Sequence, residues 1–208
     1  MKNVYVFFFA TQFKTGTAIR MVTRNKYNHV AFSFTPDTEC LYSYARYRYH
    51  EPLLSGFGRE ATDRYAPTRG VEIRVCEVSV TDEQYAQIQE KISHYQEMAA
   101  KTRYNFFDLI IYPIPLWRRH VNLQYTHTCL SFLCELLDMQ EVHSITTLQE
   151  KLSDCIFYEG LLSDFEVKPS QGMIDFYERR SRRSVWKRNG ILIASLTLSL
   201  LRSWYHVI

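Results

Sequence analysis

The chain has 208 residues, a length that suits one domain with a tail. With 46% hydrophobic and 23% charged residues, its composition excludes an intrinsically disordered chain. A formal net charge of +3 is too small to argue for a nucleic-acid partner. The five cysteines (Cys40, Cys76, Cys129, Cys134 and Cys155) are odd in number and form no C-x-x-C pair. That spacing argues against a disulfide framework and against a zinc cluster, so no metal or cofactor is expected. Reduced thiols fit a cytoplasmic protein.

In chain order, VYVFFFA after the first lysine has a β-branched and aromatic content that predicts a buried first strand over residues 3–9, not a signal peptide. FKTGTAIRMVTRNKY reads as a loop passing into a short helix, with Ile19, Met21 and Val22 apolar. HVAFSF (29–34) and ECLYSYAR (39–46) flank the turn residues Pro36 and Asp37 and predict a hairpin. Residues 47–70 contain Pro52, Gly56, Gly58, Pro67 and Gly70 and read as one long loop, a length usually tied to function. VEIRVCEVSV (71–80) predicts a strand with a bulge near Cys76, where the apolar parity slips.

The segment 81–101 is the clearest helix. Thr81 and Gln84 form a capping-box pattern, and Tyr85, Ile88, Ile92, Tyr95 and Ala99 make one apolar stripe. YNFFDLIIYPIPLW (104–117) is broken by Pro113 and Pro115 into a short helix and a loop. A helix beginning at Cys129 runs to about residue 139, a short one covers 146–152, and residues 155–168 read as loop or strand. The sum is an α+β fold, an antiparallel sheet packed against helices.

Cys129 stands in the first turn of its helix, where the positive end of the dipole favours thiolate over thiol. A nucleophilic cysteine also needs a base, and the base needs a polar group to orient it. His29, at the start of the KYNHVAFSF strand, can point from a rigid sheet toward a facing helix end. As a bare pattern it also reads as a partly exposed strand-end histidine. His127 lies two residues before Cys129, a spacing that does not share a helix face. His94 reads as solvated and His50 as a loop residue. His120, His143 and His206 have no apparent partner. The other four cysteines read as small core residues.

The order of YNHVAFSF, LYSYAR, RYNFFDLI and THTCLSFLCELL resembles the circularly permuted NlpC-type cysteine hydrolases of the papain-like superfamily, of which lecithin retinol acyltransferase is a relative. The resemblance covers roughly residues 1–165. It implies a papain-like sheet in which the histidine strand precedes the cysteine helix, Cys129 as nucleophile and His29 as base. It places the third polar residue on the following strand, at Ser43, with Glu39 and Tyr44 as fallbacks. A serine orients imidazole more weakly than a carboxylate does. The family often carries Ser-Gln after the cysteine, where this chain has Leu130-Ser131. The implied reaction is cleavage of an amide or ester bond in a peptide or lipid-like substrate. The rival reading is a binding module that keeps the fold without the chemistry.

These readings divide the chain into a catalytic domain over 1–175 and a tail over 176–208. The tail opens with FYERRSRRSVWKR, five arginines and one lysine, and continues into the mainly apolar NGILIASLTLSLL. A basic cluster beside an apolar run with Trp204 and Tyr205 suits contact with the inner face of a membrane, as an interfacial or marginal tail anchor. A helix packed on the domain is the alternative.

Overall fold

The computed structural model describes residues 1–13, 20, 24–51, 53–60, 64–65, 70–105, 126–165, 176–179 and 181–205. Six strands form one antiparallel sheet: β1 (Lys2–Phe9), β2 (His29–Ser33), β3 (Leu41–Arg46), β4 (Ser55–Glu60), β5 (Glu72–Val80) and β8 (Ile156–Leu161). Their spatial order is β4-β3-β2-β1-β5-β8. Two short segments, β6 (Arg103–Tyr104) and β7 (Thr126–His127), pair in parallel beside it. Four helices accompany them among the described residues: α1 (Asp82–Glu97), α2 (Cys129–Leu136), α3 (Ile145–Lys151) and α4 (Arg182–Tyr205).

β1 is an uninterrupted apolar run because both of its faces are covered. Val4, Val6 and Phe8 join Val30, Phe32, Tyr44 and Phe57 in a core with Ile88 and Ile92 of α1, Phe132, Leu133 and Leu136 of α2, and Leu148 of α3. Tyr5, Phe7 and Phe9 face the other way, into a second core with Ala31, Leu41, Tyr65, Ile73 and Leu162. Period-two alternation therefore sorts one strand between two hydrophobic layers.

The capping box at Thr81 is present, with Gln84 reciprocating. The irregularity near Cys76 lies in the β5–β8 pairing, where the register shifts between Val75 and Cys76. Two expectations are corrected. The 47–70 segment is not one loop: Ser55–Glu60 is β4, registered against β3 from Leu41↔Glu60 to Arg46↔Ser55. The boundary at 175 also cuts into packed structure. Phe176 is buried, its carbonyl accepts from the Tyr49 N–H at 2.8 Å, and Glu178 pairs with Arg48 at 2.6 Å. The expected helix around Ile19, Met21 and Val22, and nearly all of the 104–117 segment, lie outside the described residues.

Of the tail, α4 carries exposed Trp186, Ile191, Ile193 and Leu198. No helix among the described residues is long and apolar enough to cross a membrane.

Candidate active site

Thr128 caps α2. Its hydroxyl accepts from the Ser131 N–H at 3.0 Å, and the Ser131 side chain accepts from the Thr128 N–H at 2.8 Å. This reciprocal box fixes Cys129 as the first helical residue, whose own N–H has no acceptor within the helix. The Leu130-Ser131 sequence thus has a local reason: Ser131 closes the cap. Cys129 is 5% exposed, and its helix packs against β2.

There it interacts with the His29 imidazole and with the backbone N–H of Val30. The other side of the imidazole is engaged as well, with Nε2 2.5 Å from Glu60 Oε1. Nδ1 is therefore the ring nitrogen left for the sulfur. Sheet alternation places His29, Ser43 and Glu60 on the face of the second core, away from Val30, Tyr44 and Phe57.

Glu60 is buried and meets at least four donors. Oε1 receives His29 Nε2 and the Ser43 hydroxyl; Oε2 receives the Tyr65 hydroxyl and Arg64 Nη1, the latter at 3.2 Å. Tyr65 is itself fixed by stacking on Phe9, with ring centroids 4.4 Å apart and planes at 1°. Burial by itself raises a carboxyl pKa. Here the charges of Arg64 and His29, with the hydrogen bonds from His29 and Ser43, outweigh it and hold Glu60 far below the usual carboxylate range.

The same logic sets the other two groups. Burial opposes a charge on His29, but the Glu60 carboxylate and the hydrogen bond with Cys129 raise it to about 9. Burial likewise pushes the Cys129 thiol up, yet the hydrogen bond and charge of His29 and the Val30 N–H bring it below its ordinary value. The arrangement favours a thiolate–imidazolium pair steadied by a buried carboxylate. By contrast, burial pushes Cys76 and Cys134 up to about 12.

The structure therefore brings together two of the three residues named from sequence, Cys129 and His29. Ser43 is in the network but one step removed: its described hydrogen bond goes to Glu60, not to the imidazole. Glu39 is exposed, and Tyr44 packs in the opposite core against Phe57, Tyr95 and Phe132. Glu60 was missed because Gly56 and Gly58 read as turn formers. The signal was present in S-G-F-G-R-E, where apolar Phe57 alternates with positions on the other face. His127 belongs to a separate group with Tyr95 and Glu135, at 3.1 and 3.5 Å. His94, His50 and His143 are exposed, and His120 and His206 lie outside the described residues. Among the described residues, no three His, Cys, Asp or Glu side chains are grouped to hold a metal ion. Comparison with protein-family models, curated proteins and solved structures finds no match to this chain.

Proposed function

We propose that the protein is a cysteine hydrolase or acyltransferase of the permuted papain-like kind, acting on an amide or ester bond. The observation that carries this reading is buried His29 held between Cys129 and Glu60, with Nε2 2.5 Å from Glu60 Oε1 and the shifts of all three groups in the sense an ion pair requires. In the reaction, the Cys129 thiolate adds to the substrate carbonyl. The Cys129 N–H at the helix start is placed to donate to the developing oxyanion. The C–N or C–O bond then breaks as imidazolium His29 gives its proton to the leaving amine or alcohol. Water, or an acceptor alcohol or amine, attacks the thioester while His29 takes back a proton, and the thiolate leaves. Glu60 holds the ring orientation and stabilises its charge throughout.

We also infer that α4 lies on a membrane surface. Arg183, Lys187 and Arg188 are exposed beside exposed Trp186, Ile191, Ile193 and Leu198.

Ranking the five thiols tests the chemistry. Brief iodoacetamide treatment at pH 6.5, read by peptide mass spectrometry, is expected to alkylate Cys129 first. Cleavage of an activated ester such as p-nitrophenyl acetate should leave an acyl adduct on Cys129 and vanish in Cys129→Ala. Labelling of Cys76 or Cys134 ahead of Cys129, or ester cleavage that survives Cys129→Ala, overturns the proposal.

A further inference from the structure

Beside Glu60 lies a small open cleft of about 40 Å³. Its lining includes Ser43, Arg46, Arg59, Glu60, Arg64 and Phe176. The Arg46 and Arg64 side chains stand near one carboxylate there, and that carboxylate is already shared. Glu60 neutralises Arg64 and His29 together.

Arg46 is the informative residue. It stands at the end of β3 and is half-buried, and no side-chain hydrogen bond or ion pair joins it to a described residue. Its guanidinium lies instead against aromatic rings, 5.0 Å from the Phe13 centroid, 6.0 Å from Tyr49 and 5.8 Å from Phe176. Arg64 approaches the same Phe176 ring, at 5.1 Å. Two cations therefore share one aromatic wall, and among the described residues only Arg64 has an anionic partner. Rings orient a guanidinium and leave its N–H donors unused. Burial and the nearby Arg64 charge lower Arg46 to about 10, so it remains charged at neutral pH with no counter-charge among the described residues. An oxyanion between Arg46 and Arg64 would take those donors and relieve the repulsion between the two.

We propose that this cleft is an anion subsite, and that the substrate cleaved at Cys129 carries a carboxylate or phosphate held by Arg46 at a fixed distance from the scissile bond. The inference rests on the cysteine-hydrolase reading and adds the substrate class. Arg64 is within electrostatic reach of the Cys129 sulfur. Arg46 stands three residues along β3 from Ser43, about 10 Å at the strand rise, so the anionic group is separated from the reacting carbonyl by a spacer.

Matched alkylating probes measure the spacer and the charge preference together. Iodoacetyl amides of glycine, β-alanine and 4-aminobutyrate are compared with their primary carboxamides, and with phosphonate analogues of the same lengths. Glutathione supplies the intrinsic rate ratio of each pair. At one length, the anionic probe is expected to alkylate Cys129 at least about tenfold faster than its carboxamide after that correction. The carboxylate and phosphonate series then show which oxyanion fits. Arg46→Gln should remove the preference, Arg46→Lys should keep part of it, and the rates of the carboxamide probes should stay within about twofold. A wild-type ratio matching glutathione at every length overturns the subsite, as does a preference that survives Arg46→Gln. If carboxamide probes label Cys129 no faster than Cys76 or Cys134, the hydrolase reading itself fails, which is a different result.

Discussion

At least four donors converge on Glu60, and removing the acceptor or one donor has different consequences. Glu60→Gln takes away the charge that Arg64 and His29 share, leaving a buried guanidinium without a counter-charge. Breaking a buried pair in this way costs about 3–5 kcal/mol. Ser43→Ala removes one hydrogen bond to a charged acceptor, about 1.5–3 kcal/mol, and leaves the imidazole–carboxylate contact in place. The pH dependence has a definite sign. The lowered Cys129 loses its proton below the ordinary thiol range, so alkylation should persist at pH values where Cys76 and Cys134 are silent. Ester turnover also needs protonated His29, so it should fall as pH rises through about 9. In Glu60→Gln the raised histidine loses its main support, and this upper limb should move to lower pH. In Ser43→Ala it should stay close to wild type. A turnover profile in which Ser43→Ala shifts as far as Glu60→Gln would make the serine the orienting residue after all.

At the scale of elements, the site depends on how closely β4 approaches the turn after α1. Gly56 makes that approach possible. A Cβ there would meet the Tyr47 hydroxyl and lie 2.9 Å from Thr102 Oγ1 and 3.0 Å from the Thr102 carbonyl oxygen. Thr102 is fully buried, and its hydroxyl accepts from the Phe57 N–H at 3.0 Å, so it has little room to retreat. Gly56→Ala is therefore expected to destabilise by about 1–3 kcal/mol, the usual cost of overpacking, read as a lower urea midpoint. Because β4 also carries Glu60, ester turnover should drop with it. An unchanged midpoint would mean that β4 can shift outward without cost. Gly56, which lets this strand approach, is also one of the residues that disguise it as a loop in the sequence. A strand glycine marking close backbone contact and a turn glycine look alike until the neighbour is known.

For the whole molecule, Phe176 and Glu178 both contact the sheet domain, so a cut before Phe176 breaks described contacts. A chain ending at residue 175 loses the buried Phe176 ring and the Arg48–Glu178 pair, and the ring alone is worth about 3–5 kcal/mol by analogy with Phe→Ala. A chain ending at residue 179 keeps both, and its melting temperature should match the full chain within a degree or two. The same pair of truncations tests the membrane proposal. The full chain should float with anionic vesicles at low salt and release as salt rises, since each basic residue near such a surface contributes about 1 kcal/mol. The chain ending at residue 179 should not float. Equal flotation of the two would remove α4 from the membrane.

Local chemistry determined much of this protein. The buried β1 run, the β2–β3 hairpin, the Thr81 cap, the bulge at Cys76 and the placement of Cys129 at a helix start all follow from neighbours a few residues apart, where propensity and periodicity act. His29 and Cys129 could be named because each stands at a recognisable element boundary. What only the tertiary structure decided is which charges share a buried volume. Glu60 lies 31 residues from His29, and Phe176 reaches Arg46 and Arg64 from beyond both cores. A carboxylate's partners, and hence its pKa, are fixed by distances of a few ångströms between strands far apart in sequence. No spacing within the chain encodes them.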